Sequence, residues 1–182
     1  SNLQRQILHR HQDIGRPKVE SARDCIAALN RDVTVTPLQA RVTGEQLADL
    51  VQQADLVVDA SDNFATRFAI NEACVTHRTP LVSGAAVRME GQVSVFIPGR
   101  DDSPCYRCLY KEGADPGQTC AENGVLAPVV GIIGSVQALE AIKVILGLGE
   151  SLCGRLLVFD GLYGEWRSVK LRKDPACPVC SG

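Results

Sequence analysis

Charge of one sign is what this 182-residue chain most plainly lacks: 19 Lys and Arg stand against 21 Asp and Glu, a formal net charge of -2. That balance excludes the broad basic surface by which nucleic-acid and anionic-membrane binders hold their ligands, so any phosphate site has to be local. Histidine is scarce as well, and His9, His11 and His77 are too scattered to be given a metal or acid–base role. There is no positively charged start followed by an apolar run, which points to a cytoplasmic protein without a secretory signal. Internal repeats and low-complexity runs are also missing, which sets aside solenoids and linkers.

What is present is ordinary for a globular domain, with 45% hydrophobic and 22% charged residues, enough for one well-buried core. The most apolar stretch, "LAPVVGIIGSVQALEAIKVILGLG" from Leu126 to Gly149, is long enough for a membrane span. Gln137, Glu140 and Lys143 interrupt it about one helical turn apart, so a buried amphipathic helix is expected instead. "RPKVESARDCIAALN" carries Pro17 at its start and Asn30 at its end, a helix signature. "VTVTPL" (Val33 to Leu38) is expected as a short strand, "GEQLADLVQQA" as a helix and "DLVVDA" as a buried strand. "NFATRFAINEACVTHR" is helical again, and "PLVSGAAV" is a strand. This alternation predicts an α/β, Rossmann-like open sheet that is parallel in its first half. From Gly91 onward, "GQVSVFIPG" and "RLLVFDGLYGEWRSVKL" predict an antiparallel extension of that sheet. The polar stretch from Lys111 to Gly124 is expected to be a mobile loop.

Eight cysteines are present, and four of them form two C-x-x-C pairs, Cys105 with Cys108 and Cys177 with Cys180. Each such turn can offer two thiolates to one ion, and two knuckles from separate segments complete a tetrahedron. An all-sulfur set suits zinc or an iron–sulfur centre and leaves no open position for water, so the site is expected to be structural. Zinc would then tie the C-terminal tail back to the segment after "FIPG". Two disulfides fit an intracellular chain poorly, and the charge balance argues against a nucleic-acid-reading zinc ribbon. Cys25 and Cys74 lie in helical patterns and are expected in packing roles, and nothing singles out Cys153. Cys120, in the polar loop, is the candidate functional thiol.

"DLVVDASDN" ends a strand with Asp59, Ser61, Asp62 and Asn63, at the carboxyl end where open α/β sheets bind ligands. These side chains suit a metal or a phosphate. Ser61 or Asp62 equally suits the cap of a helix beginning near Phe64, a role that needs no ligand. Arg5 and Lys18 are isolated cations of the kind that neutralise oxyanions or simply sit in solvent.

In order, "SNLQRQ", "RPKVESA", "SDN", "PLVSGAAVRMEGQVSVF", "PCYRCL", "APVVGIIGSVQALEAIK" and "CPVC" resemble the adenylating enzymes of the MoeB, ThiF and HesA family, relatives of the ubiquitin-activating enzymes. The resemblance covers essentially the whole chain as a single adenylating domain, 1–182. It implies ATP-dependent adenylation of the C-terminal Gly-Gly carboxylate of a small ubiquitin-like sulfur-carrier protein, with pyrophosphate released. By that resemblance Ser1, Asn2, Leu3, Gln4 and Arg5 line the nucleotide, Lys18 neutralises the phosphates, and Asp62 with Asn63 lies at the nucleotide and holds Mg2+. Arg5, Lys18, Asp62 and, as a carrier-linked thiol, Cys120 are then the catalytic candidates. Cys105, Cys108, Cys177 and Cys180 match the family's structural Zn2+ ligands. A homodimer with composite sites is implied, as is a sulfur-donating protein partner.

The family also has, before "SNLQRQ", a strand and Gly-rich ATP loop, an acidic ribose ligand and an arginine serving the neighbouring subunit. None of these is in this sequence, so the first strands of the family fold are expected to be absent, and the chain alone is expected to lack a complete active site, to bind ATP weakly and to be inactive. Some relatives continue into a rhodanese-like domain. "SGAAVRMEGQVSVF" is closer to the molybdopterin-synthase branch, and "VFDGLYGEWRSVKLRKDPACPVC" is closer to the thiazole branch. Two other classes remain open, a non-catalytic partner subunit and a zinc-stabilised binding module. Retention of Arg5, Lys18 and Asp62 together favours the enzyme over the first.

Overall fold

The computed structural model describes residues 2–111 and 124–181. They fall into two compact units, Ser1–Val42 and Thr43–Gly182. The first holds a 3-10 turn, His11–Asp13, and helix α1, Lys18–Leu29, which Pro17 opens and Asn30 closes, as the sequence predicts. Val33 to Leu38 is not a strand. The segment makes no ladder with any described residue, and β geometry persists only where its N–H and C=O groups find a partner.

The second unit carries α2 (Gly44–Gln52), β1 (Val57–Asp59), α3 (Phe64–His77), β2 (Leu81–Val87), β3 (Glu90–Phe96), the short α4 (Tyr106–Leu109), α5 (Ala127–Leu146), β4 (Arg155–Asp160) and β5 (Glu165–Lys170). The five strands form one open sheet in the order β1-β2-β3-β4-β5. β1 and β2 are parallel, joined through α3, and the remaining pairs are antiparallel. The expected parallel first half is thus a single strand pair among the described residues.

Side-chain alternation along β2 and β3 sends neighbours to opposite faces. Val82, Val93 and Val95 join Val129 and Ile133 of α5 in one core, while Leu81 and Phe96 join Val51, Cys74 and Tyr106 in another. The sheet is therefore packed on both faces. α5 can approach closely because Gly84 and Gly91 lack side chains. A Cβ at Gly84 would stand 2.2 Å from the Gln137 side chain, and one at Gly91 would stand 2.3 Å from that of Ile133.

The orientation of α5 differs from what the expected buried amphipathic helix implies, an apolar face inward and a polar face outward. Its buried stripe is Val129, Ile133, Gln137, Glu140 and Ala141, which includes two of the polar residues that break the apolar run. Gln137 Nε2 donates to the carbonyls of Asp59 (2.8 Å) and Val82 (3.4 Å), and Glu140 accepts from the Leu152 N–H (2.7 Å) and from Lys143 Nζ (2.6 Å). A buried polar group is tolerated when it is hydrogen-bonded, and these bonds set the helix rotation. Ile132, Leu139, Ile142, Ile145 and Leu146 consequently face outward. By length and composition α5 is apolar enough to cross a membrane. Its Gln137 and Glu140 contacts instead place one stripe against the sheet.

Candidate active site and metal centre

Cys105 precedes α4, and its C-x-x-C turn places Cys108 one helical turn on. The tail folds back through the Cys177–Cys180 turn, so the four thiols lie within 4.8 Å of one another. Sγ separations are 3.6 Å for Cys105 with Cys177, 3.5 Å for Cys108 with Cys180 and 4.0 Å for Cys105 with Cys108. A disulfide needs about 2.05 Å, whereas a tetrahedral zinc with Zn–S near 2.3 Å has sulfur edges of about 3.8 Å. The cluster has the spacing and donor chemistry of a four-thiolate metal centre.

Its surroundings favour thiolates unevenly. Burial pushes Cys105 up to about 11 and also raises Cys180, whose thiol further feels Cys108. Burial opposes the Cys177 thiolate too, but the backbone N–H groups of Val179 and Cys180, together with hydrogen bonds from the Cys105 and Cys180 thiols, hold that thiol below its ordinary value. Burial raises these thiols as it does that of any buried cysteine, and a cation bound among them would favour their ionised form. Asn71, on α3 and almost wholly buried, donates from Nδ2 to Cys105 Sγ (3.7 Å), and its Oδ1 accepts the Tyr106 N–H (2.8 Å). The Asp174 N–H donates to Cys108 Sγ at 3.4 Å. Contacts of this kind fix ligand orientation and stabilise sulfur charge.

The second cluster lies at the carboxyl end of β1. Asp59 is buried, and its Oδ1 accepts the Ser61 N–H at 2.8 Å. The helix begins at Phe64 as expected, but its cap is Asn63, whose Oδ1 accepts the Thr66 N–H at 2.9 Å. Neither Ser61 nor Asp62 caps it. Asp62 is exposed, touched by Asn63 Nδ2 at 3.3 Å. Ser61 Oγ is buried and unpartnered among the described residues. Beneath the loop lies Arg67, a buried cation that sequence reading missed. Its Nε and Nη2 both donate to the Ser61 carbonyl, and Nη1 reaches Tyr106 Oη at 3.5 Å. Arg67 therefore connects the Asp62 loop to the cysteine knuckle.

Arg88 sits at the β2–β3 turn with φ 53°, a left-handed conformation unusual for a non-glycine residue. Its backbone bonds to Gly124 and Leu126 hold it there. Because β1 and β2 are parallel, this turn stands at the same end of the sheet as Asp59.

In the first unit, Arg5 Nη2 donates to Asn2 Oδ1 at 2.7 Å. Leu3, Gln4 and Lys18 are exposed, Lys18 at the first residue of α1. His9 Nδ1 meets Ser21 Oγ at 2.5 Å. Ser1 and Cys120, with most of the Lys111 to Gly124 loop, lie outside the described residues. Cys74 is buried, and desolvation, reinforced by Asp59, pushes its thiol up to about 12, as befits a packing residue.

The ThiF family model matches residues 1–179. The chain belongs to the ThiF family. Its relatives carry adenylyltransferase names: it is 46% identical over 180 residues to the molybdopterin-synthase adenylyltransferase of Escherichia coli, covering 99% of this chain and 72% of that protein. It is 48% identical over 182 residues to the sulfur carrier protein ThiS adenylyltransferase of Escherichia coli, covering 100% of this chain and 72% of that protein. Among solved structures, Escherichia coli MccB with ATP superposes with a TM-score of 0.81 at 22% identity, covering 100% of this chain. The chain spans 56% of that MccB chain, and the likeness establishes the fold. This ThiF-family chain is thus an adenylyltransferase sequence on an open α/β sheet.

Proposed function

We propose that this chain, completed by the Gly-rich ATP loop of its family, adenylates the C-terminal Gly-Gly carboxylate of a small ubiquitin-like sulfur-carrier protein, foremost the small subunit of molybdopterin synthase. The carboxylate oxygen forms a bond to the α-phosphorus of ATP, the bond to the β-phosphate oxygen breaks, and pyrophosphate leaves with its electron pair. A carboxylate is already ionised at neutral pH, so no general base is required. What the reaction needs is neutralisation of repelling anions and alignment of the two reactants. Arg5 and Lys18 serve the first need. Asp62 is the ligand for Mg2+, which screens the triphosphate when bound, and Asn63 steadies Asp62 while capping α3. Ser1, Asn2, Leu3 and Gln4 line the nucleotide. The single observation that carries this reading is the whole-chain match to adenylyltransferases.

The four-cysteine cluster is assigned to Zn2+ as a structural clamp, supported by its sulfur spacing. Cys120 is the proposed carrier-linked thiol. Both units belong, in this reading, to one adenylating domain working in the cytoplasm. The outward apolar residues of α5 support a homodimer. The thiazole (thiamine) carrier is a second reading, supported by the 48% identity to the ThiS enzyme. Carrier-dependent ATP–pyrophosphate exchange on the full-length protein, with the molybdopterin and thiazole carriers in parallel, tests both. Exchange with neither carrier, from folded zinc-loaded protein, would refute them.

A further inference from the structure

The opposite end of the sheet carries a feature that adenylation does not use. β4 begins, and β5 ends, at the foot farthest from the carboxyl end of β1. There Arg155 and Lys170 are directly paired across the two strands. Directly opposed residues of an antiparallel pair share a face, and like charges so placed repel. Ser168, Lys170, Arg172 and Lys173 continue the same wall, and together with Arg155 they line an open concavity of about 670 Å³. None of the four cations forms an ion pair among the described residues. One carboxylate, Asp102, also lines the concavity, but it takes two bonds from Arg100; Asp174 accepts the Ala176 N–H, and Arg155 Nη2 donates to the Ser151 carbonyl at 3.0 Å. In a chain of net charge -2, four cations gathered around one concavity at a repulsive cross-strand pair are a local departure from the whole.

We propose that this foot is a docking site for an acidic segment of a partner protein. Two observations favour an extended peptide over a small oxyanion. Lys170 and Arg172 are exposed rather than converging from a closed pocket. The concavity also takes in Ser168 and Lys170 at the end of β5, the last strand in the sheet order, all six of whose residues are exposed. An extended segment can follow such an edge with main-chain hydrogen bonds while its carboxylates meet the four cations. Opposite charge would speed the encounter and select the partner. The site is independent of the nucleotide end, so its failure leaves the adenylation reading untouched.

The test is fluorescence anisotropy of a labelled octaglutamate peptide with the chain, against octaglutamine of the same length. The proposal expects salt-sensitive binding of octaglutamate alone, weakened about tenfold or more by Lys170→Glu with Arg172→Glu. Equal binding of the two peptides, or binding indifferent to the double substitution, overturns it. Binding of inorganic tripolyphosphate in place of octaglutamate also overturns it, because the site would then be one for a small oxyanion. Thermal melting is an independent check. Lys170→Glu turns the repulsive pair with Arg155 into an attractive one and should raise the midpoint by about 1–3 °C. A lowered midpoint would remove the premise.

Discussion

The cysteine knuckle and the Asp62 loop are joined through Arg67 and Tyr106, yet they are built on opposite principles. In the knuckle, the thiols are partly or wholly buried, and N–H donors from Asn71 and Asp174 point at sulfur. In the loop, the Asp62 carboxylate, the proposed Mg2+ ligand, is exposed, and a buried hydroxyl at Ser61 stays unpartnered among the described residues. The knuckle spends its polar groups on holding itself together. The loop leaves them available for a ligand, with Arg67 below to keep its backbone in place. Substitutions should therefore divide cleanly, with large stability effects in the knuckle and small ones at the tip of the loop.

The largest effect is expected from the metal clamp. With the cluster holding the proposed zinc, Cys177→Ser should abolish metal binding there and lower the melting midpoint by more than about 10 °C, read by metal analysis and calorimetry. Folded protein that melts normally without metal would dissolve the comparison at its root. Next, Gly84→Val should force α5 off the sheet, because even a Cβ there meets the Gln137 amide at 2.2 Å. A cost of about 3 kcal/mol in denaturant unfolding is expected from such overpacking. Asn71→Ala should cost about 2 kcal/mol by leaving the Tyr106 N–H unpaired, and should weaken zinc binding about tenfold or more in a chelator competition. At the loop, Asn63→Ala should cost only about 1 kcal/mol, the worth of a helix cap. Asp62→Asn should shift stability least, within about 0.5 kcal/mol, as expected of an exposed side chain with one weak contact.

The same division explains what could be read in the sequence. The cysteine cluster was legible because each C-x-x-C is a local signal and duplication at the same spacing points to one ion. The limits of α1 were legible because Pro17 and Asn30 act on adjacent backbone. Asn71 and Arg67 were not, since their partners in the knuckle stand 35 and 39 residues away and no local pattern announces them. Val33 to Leu38 has the β-branched alternation of a strand, but a strand is completed by a neighbour, and none of the described residues supplies one. Gln137, Glu140 and Lys143 marked the α5 stretch as a helix with a polar stripe, and two of the three, Gln137 and Glu140, lie on its buried face. Its rotation was not foreseen, because hydrophobic periodicity assumes that polar residues face water. Here the buried partners of Gln137 and Glu140 are backbone groups of β1, β2 and the loop before β4. The cap of α3 was misplaced by one or two positions for a related reason. Ser61, Asp62 and Asn63 all suit that role, and the turn geometry selects Asn63.

The account rests most heavily on the Asp62 loop serving chemistry while the knuckle serves the fold. Carrier-dependent ATP–pyrophosphate exchange by the Asp62→Asn variant of the full-length protein tests this most directly, with melting and zinc content measured on the same sample. The prediction is a loss of about a hundredfold or more in exchange from a protein that melts normally and retains its zinc. Undiminished exchange would contradict the account and return Asp62 to the ordinary exposed surface.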